Sequence, residues 1–142
     1  MNLSDLLRDN RVKKAAPDAK QAQECLLAAK RDISVAKKII LEDSDWAFSI
    51  AYNAMLQSAR ALMLYEGYLA TGESRHKTAV DYAEIKLGAK LGEKIEIFER
   101  MRRKRHQAVY EKAGIISEFE AKHAIKEAEG FFAEIEKKIK HK

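Results

Sequence analysis

An all-α fold, an up-and-down bundle of four to five helices, follows from three observations on this 142-residue chain. Apolar residues recur at three- and four-residue intervals over most of the length, the period of a helix with one buried face. There is a single proline, Pro17, and five of the six glycines, Gly67, Gly72, Gly88, Gly92 and Gly114, fall at expected turns, joints or stops between the periodic stretches. No run alternates apolar and polar residues as a half-buried strand would, and there is no internal repeat or low-complexity tract.

The elements follow in order. Residues 1–16 form an N-terminal arm or short helix, since the apolar face between Leu3 and Lys14 is thin. Residues 17–142 form the bundle domain. Pro17 reads as the first turn of a helix, where its missing N–H costs nothing. Ala22, Leu26, Ala29, Ile33, Ala36 and Ile40 then mark a long amphipathic helix with a narrow seam. Ser44 and Asp45 are N-cap candidates for the next helix, about Trp46 to Glu66. It is apolar over much of its circumference and rich in alanine, as a central member packed on several sides would be. Gly67 and Gly72 bracket a turn. Ser74 can cap a third helix through Val80, Tyr82 and Leu87, with Gly88 and Gly92 at a joint. A basic helix runs from about Glu93 to Lys112 and stops near Gly114. Ser117 and Glu120 have capping-box spacing ahead of a last helix lined by Ala121, Ala124, Ala128, Phe131, Ile135 and Ile139.

The totals limit the class. At 142 residues the chain makes one domain. Its only cysteine, Cys25, rules out an internal disulfide and suits a reducing cytoplasm as a small core residue. No apolar run approaches the roughly 20 residues that cross a bilayer, and the N-terminus lacks a signal-peptide pattern. The expectation is a soluble cytoplasmic protein with no membrane contact. Lys+Arg 27 against Asp+Glu 22 leaves a net charge of +5, and the Arg100–Arg105 segment alone carries five cations. Such a block can meet RNA, a nucleotide or an acidic partner.

The chemistry-bearing residues are few. His76, His106, His123 and His141 are not paired with one another at helical spacing. Two Glu-x-x-His matches, Glu73 with His76 and Glu120 with His123, sit at helix starts rather than mid-helix, so no metal or other cofactor is expected. The glycines make no phosphate-cradling loop. What remains is Arg100, Arg102, Arg103 and Lys104 as phosphate-binding cations, with Arg105, His106 and Tyr110 as a reactive set. An arginine fork holds phosphate oxygens two at a time. A histidine can take a proton from a ribose 2′-hydroxyl, and a tyrosine four residues on lies one turn away on the same face. Together they suit RNA cleavage without metal. The plain alternative is a solvated helix face whose arginines pair with Glu93, Glu96 or Glu99.

From Asp18 to Lys140 the chain resembles the HEPN superfamily, small helical bundles found widely in prokaryotes. The likeness lies in Ala51 to Leu62 followed by Gly67, in His76 at a helix start, in Arg105-His106-Gln107-Ala108-Val109-Tyr110, and in the alanine- and phenylalanine-bearing stretch Ala124 to Phe132. The resemblance implies an HEPN-like bundle. It also implies a homodimer that joins two Arg/His motifs in one cleft, and metal-independent endoribonuclease activity of toxin or defence type. It implies a nucleotidyltransferase-type antitoxin as partner. A catalytically silent module that binds RNA, a nucleotide or such a partner is the other outcome the resemblance allows. The family motif is an arginine followed, after four to six residues, by a histidine. Two registers fit: Arg105 with His106 beside it and Tyr110 in the histidine position, or Arg100 with His106. The first keeps the segment after Tyr110 in step with the family. It also puts a side chain of pKa about 10 where a base is expected, leaving His106 to move the proton.

Overall fold

The computed structural model describes residues 1–91, 93–110 and 114–140, with side chains at all of these except 89–91 and 109–110. The helical class holds. Among the described residues the elements are α1 (Leu3–Arg8), β1 (Val12–Lys14), α2 (Ala19–Ile39), α3 (Ser44–Glu66), β2 (Tyr68–Ala70), α4 (Arg75–Leu91), α5 (Glu93–Tyr110) and α6 (Glu118–Lys140). The two strands are an addition to the expected bundle. Each is three residues long, too short to show a period of two, and they pair antiparallel with Val12 opposite Ala70 and Lys14 opposite Tyr68.

Helix α3 is the central element. Fourteen of its 23 residues are buried, including Ala47, Ala51, Ala54, Ala59 and Ala61. Those alanines let neighbouring backbones come close, and α2, α4, α5 and α6 all pack on it. Its N-cap is Asp43, which accepts from the Trp46 N–H, one residue earlier than the sequence suggested. Asp45 is thereby released to accept from the N–H groups of Gly114 and Ile116 ahead of α6. Pro17 lies just before α2 rather than in its first turn, because Asp18 caps that helix by accepting from Gln21 N–H. The capping box at α6 is formed: Ser117 Oγ accepts from Glu120 N–H at 3.0 Å, and Glu120 accepts from Ser117 N–H at 3.4 Å.

The N-terminal segment is anchored. Leu6 is fully buried and Val12 nearly so, both within the same core as α3. Backbone bonds tie Ala15 N–H to Gly67 O and Thr71 N–H to Arg11 O, so the β1–β2 ladder fastens the N-terminus to the end of α3. Gly67 makes that approach feasible. It ends α3 in the left-handed region at φ +91°, and a Cβ there would stand 2.8 Å from the Ala15 carbonyl oxygen. We therefore expect Gly67→Ala to destabilise the fold by about 1–3 kcal/mol in urea denaturation. Gly72→Ala carries the same positive φ but meets nothing within 4 Å, so it should cost less. Equal losses at the two positions would contradict the close contact.

Candidate functional site

Helix α5 distributes the basic run around its axis. Phe98 and Met101 face the core and fix its rotation. Arg100 and Lys104 then border a hollow shared with Phe119 and His123, where Lys104 Nζ is held at 2.5 Å by Glu120 of α6. Arg100 and Arg103 border a second shallow groove beside Lys77, with Glu84, Glu96 and Glu99 nearby. Arg102 and Arg105, three residues apart, turn to the remaining side, toward α3 and α4. His106 is exposed, about 100° round the helix from Arg105. Tyr110 ends α5, and its side chain lies outside the described residues. The candidate residues are thus spread over several faces, and Arg105 is the one that lies over the buried Tyr52 ring, whose hydroxyl meets the exposed His76.

That cluster is built on Tyr52. Its ring is 1% exposed and touches Phe98 at 5.8 Å between centroids, and Phe98 in turn touches Phe131 at 5.2 Å. This aromatic column fixes Tyr52 at the junction of α3, α5 and α6. The Tyr52 hydroxyl is hydrogen-bonded to His76 Nδ1 at 3.2 Å, with the rings 5.9 Å apart. The Arg105 guanidinium lies over the same ring, 5.8 Å from its centroid. Its Nε is buried and has no hydrogen-bond partner among the described residues. A buried donor left unpaired costs about 1–3 kcal/mol, and more when charged. The cation–π contact returns about 0.5–2 kcal/mol. It does not replace a hydrogen bond, so Nε keeps an unmet donor.

Arg102 is different. Its Nε and Nη2 donate to the two oxygens of Glu99 at 3.2 and 2.8 Å. That bond holds the Glu99 carboxyl below its ordinary range and raises the guanidinium. Glu99 belongs to a charge network that continues through Lys77 to Asp81, whose other oxygen receives Arg11 at 2.6 Å. One of the two arginines facing α3 is therefore paired within the subunit, and the Nε of the other has no partner among the described residues.

His76 has its pKa lowered, first by burial and then by the positive charges of Arg105, Arg102 and Arg60. Burial raises the Tyr52 hydroxyl well above the usual tyrosine value, so it stays protonated. A neutral imidazole thus sits beside a guanidinium whose Nε has no acceptor among the described residues, an arrangement able to bind a phosphate and accept a proton near it. Among the described residues no three His, Cys, Asp or Glu side chains gather closely enough to hold a metal ion. Tyr52 and His76 were visible in the sequence as a helix residue and a helix-start histidine. Their meeting with Arg105 is a tertiary contact between three helices, which no local spacing encodes.

In a proton NMR titration we expect His76 to have its midpoint below 6.5, and Arg105→Gln to raise it by removing a nearby positive charge. An unchanged midpoint would contradict the placement of the two groups. The sign for stability follows. A folded-state pKa below 6.5 means that the unfolded chain binds the proton more readily. His76 therefore withdraws stability as pH falls below about 6.5, and His76→Gln should flatten that part of the profile.

Comparison with known proteins agrees with this architecture. The crystal structure of TT1696 from Thermus thermophilus superposes with a TM-score of 0.66 at 22% identity, covering 83% of this chain and 98% of that one, which shows a shared fold. A search of curated protein sequences finds no match. No helix among the described residues is long and apolar enough to cross a membrane. The family model of the HEPN domain matches residues 4–138, nearly the whole sequence, and the chain belongs to the HEPN family.

Proposed function

We propose that this HEPN chain is a metal-independent endoribonuclease centred on Arg105, Tyr52 and His76. The observation that carries the reading is the buried, unpartnered Arg105 Nε beside an imidazole held by the Tyr52 hydroxyl. Arg105 receives the scissile phosphodiester and stabilises the charge that grows on its oxygens. When His76 Nδ1–H donates to the Tyr52 oxygen, its Nε2 lone pair is available as the base. His76 takes the proton of the ribose 2′-hydroxyl, and the 2′-oxygen attacks phosphorus. The bond to the 5′-oxygen then breaks. His106, exposed on the adjoining side of α5, returns a proton to that departing oxygen. The products are a 2′,3′-cyclic phosphate and a 5′-hydroxyl. Arg100, Arg103 and Lys104 add positive field around the cleft, and Tyr110 belongs to the same set as a hydrogen-bond donor. A homodimer that joins two α5 helices, a toxin or defence role, and a nucleotidyltransferase-type antitoxin as partner are parts of this reading. So is a cytoplasmic location.

One observation favours a second reading, a catalytically silent module that binds RNA or a nucleotide. Glu99 already occupies Arg102 on two of its three nitrogens, which leaves Arg105 as the guanidinium on this side whose Nε has no acceptor among the described residues. Both readings predict binding, and only the first predicts turnover.

With a single-stranded RNA substrate, we expect cleavage that persists in EDTA and yields cyclic-phosphate ends by mass spectrometry. His76→Ala should lower the rate by about 10²–10⁴. Arg105→Gln should lower it by a similar factor through lost charge stabilisation. Intact RNA at high protein concentration, with retained binding, would select the silent module. A His106→Ala loss that matches or exceeds the His76→Ala loss would move the base to His106.

A further inference from the structure

His76 borders a second feature, a groove of about 520 Å³ between the second half of α3, β2 and the start of α4. Its volume lies within the range of small-ligand sites, about 300–1,000 Å³. Leu56, Met63 and Leu69 are among the apolar residues lining it, and Lys13, Arg60 and Arg75 supply cations. Among the described residues, no Asp or Glu lines it. The contrast is local, because the grooves beside Arg100, Arg103 and Lys104 all carry glutamates.

The fold holds these cations in place from three directions. Lys13 is in β1, opposite Leu69 across the ladder that Gly67 permits. Arg75 begins α4 and donates from Nε to the Gly72 carbonyl at 3.1 Å. Arg60 is on α3, two turns beyond Tyr52, and its charge is felt at His76. His76 is thus flanked by Arg105 and Arg102 toward α5 and by the groove cations toward β2. A single phosphate cannot answer both groups. A chain of phosphates with bases between them can, since single-stranded nucleic acid is held by a positive track with apolar surface alongside.

We infer that the groove of Lys13, Arg60 and Arg75 binds the flanking nucleotides of a single-stranded RNA whose central phosphate lies at Arg105. This rests on the phosphodiester reading of Arg105 and extends it from one phosphate to a strand of several. The ladder and the α4 start then serve as the wall that sets strand direction, and His76 marks the junction between subsites.

The test uses fluorescence anisotropy with 2′-O-methyl oligouridines, which lack the attacking hydroxyl, as an octanucleotide and a dinucleotide. Lys13→Gln combined with Arg75→Gln should weaken the octanucleotide about tenfold. Its log–log salt slope should become shallower by about 1.4, at roughly 0.7 for each lost contact to a single strand. Dinucleotide affinity should change less than twofold. Lys30→Gln combined with Lys38→Gln, an equal charge loss on exposed positions of α2, should leave the octanucleotide slope unchanged. If the groove variant binds the octanucleotide as the α2 control does, the groove inference is overturned and the Arg105 reading stands. If Arg105→Gln leaves dinucleotide binding intact while the groove variant loses the octanucleotide, the groove stands and the Arg105 reading fails. A wild-type chain that binds neither probe overturns both.

Discussion

One aromatic ring carries the geometry of this molecule's polar centre. Tyr52 reaches α5 through Phe98 and Arg105, and α4 through His76, while remaining 1% exposed on the central helix. A ring so enclosed cannot leave its hydroxyl unanswered, because a buried polar group without a partner is costly. His76 answers it. The guanidinium above the ring is attracted to its face but gains no acceptor there. Burial of Tyr52 therefore does two things at once: it orients an imidazole, and it holds an arginine close without neutralising it.

Helical phase decides what the rest of the basic run can do. Residues one apart diverge by about 100°, so five cations in six positions cannot share a face. Phe98 and Met101 bury one stripe, and each cation takes the neighbours its angle dictates. Lys104 reaches Glu120, Arg102 is taken by Glu99, and Arg105 arrives over Tyr52. The local charge density that draws the eye in the sequence is thus divided among three surfaces. Each of these surfaces carries a carboxylate, but on the third Glu99 is taken up by Arg102, and Arg105 Nε has no acceptor among the described residues.

Much of the frame was legible beforehand because its causes are local. The alanine-rich, largely apolar stretch from Trp46 to Leu64 announced the central helix, and Ser117 with Glu120 announced the last helix start. Trp46 shows the limit: it belongs to the apolar stretch, yet it is 59% exposed at the first turn. The strands escaped notice because three residues carry no periodicity, and their pairing depends on Gly67 and the N-terminal segment meeting across the end of α3. The site was half legible. Arg105 could be chosen from composition and resemblance, whereas His76 gained its place only when α4 packed beside α3. His106 follows Arg105 directly, which puts it about 100° round α5 on the adjoining, exposed side.

The central claim is that the Arg105 Nε–H is held without an acceptor until a phosphodiester arrives. The direct measurement is the Nε–Hε resonance of Arg105 in a ¹⁵N-labelled chain, followed as 2′-O-methyl uridine dinucleotide is added and assigned by its loss in Arg105→Lys. The account predicts a marked downfield shift of that proton and slower exchange with water at saturation, while the Glu99-bound Arg102 signal moves little. A resonance that is already downfield and slow in the free protein, or one unmoved by the dinucleotide, would show that the guanidinium is satisfied from within and would contradict the account.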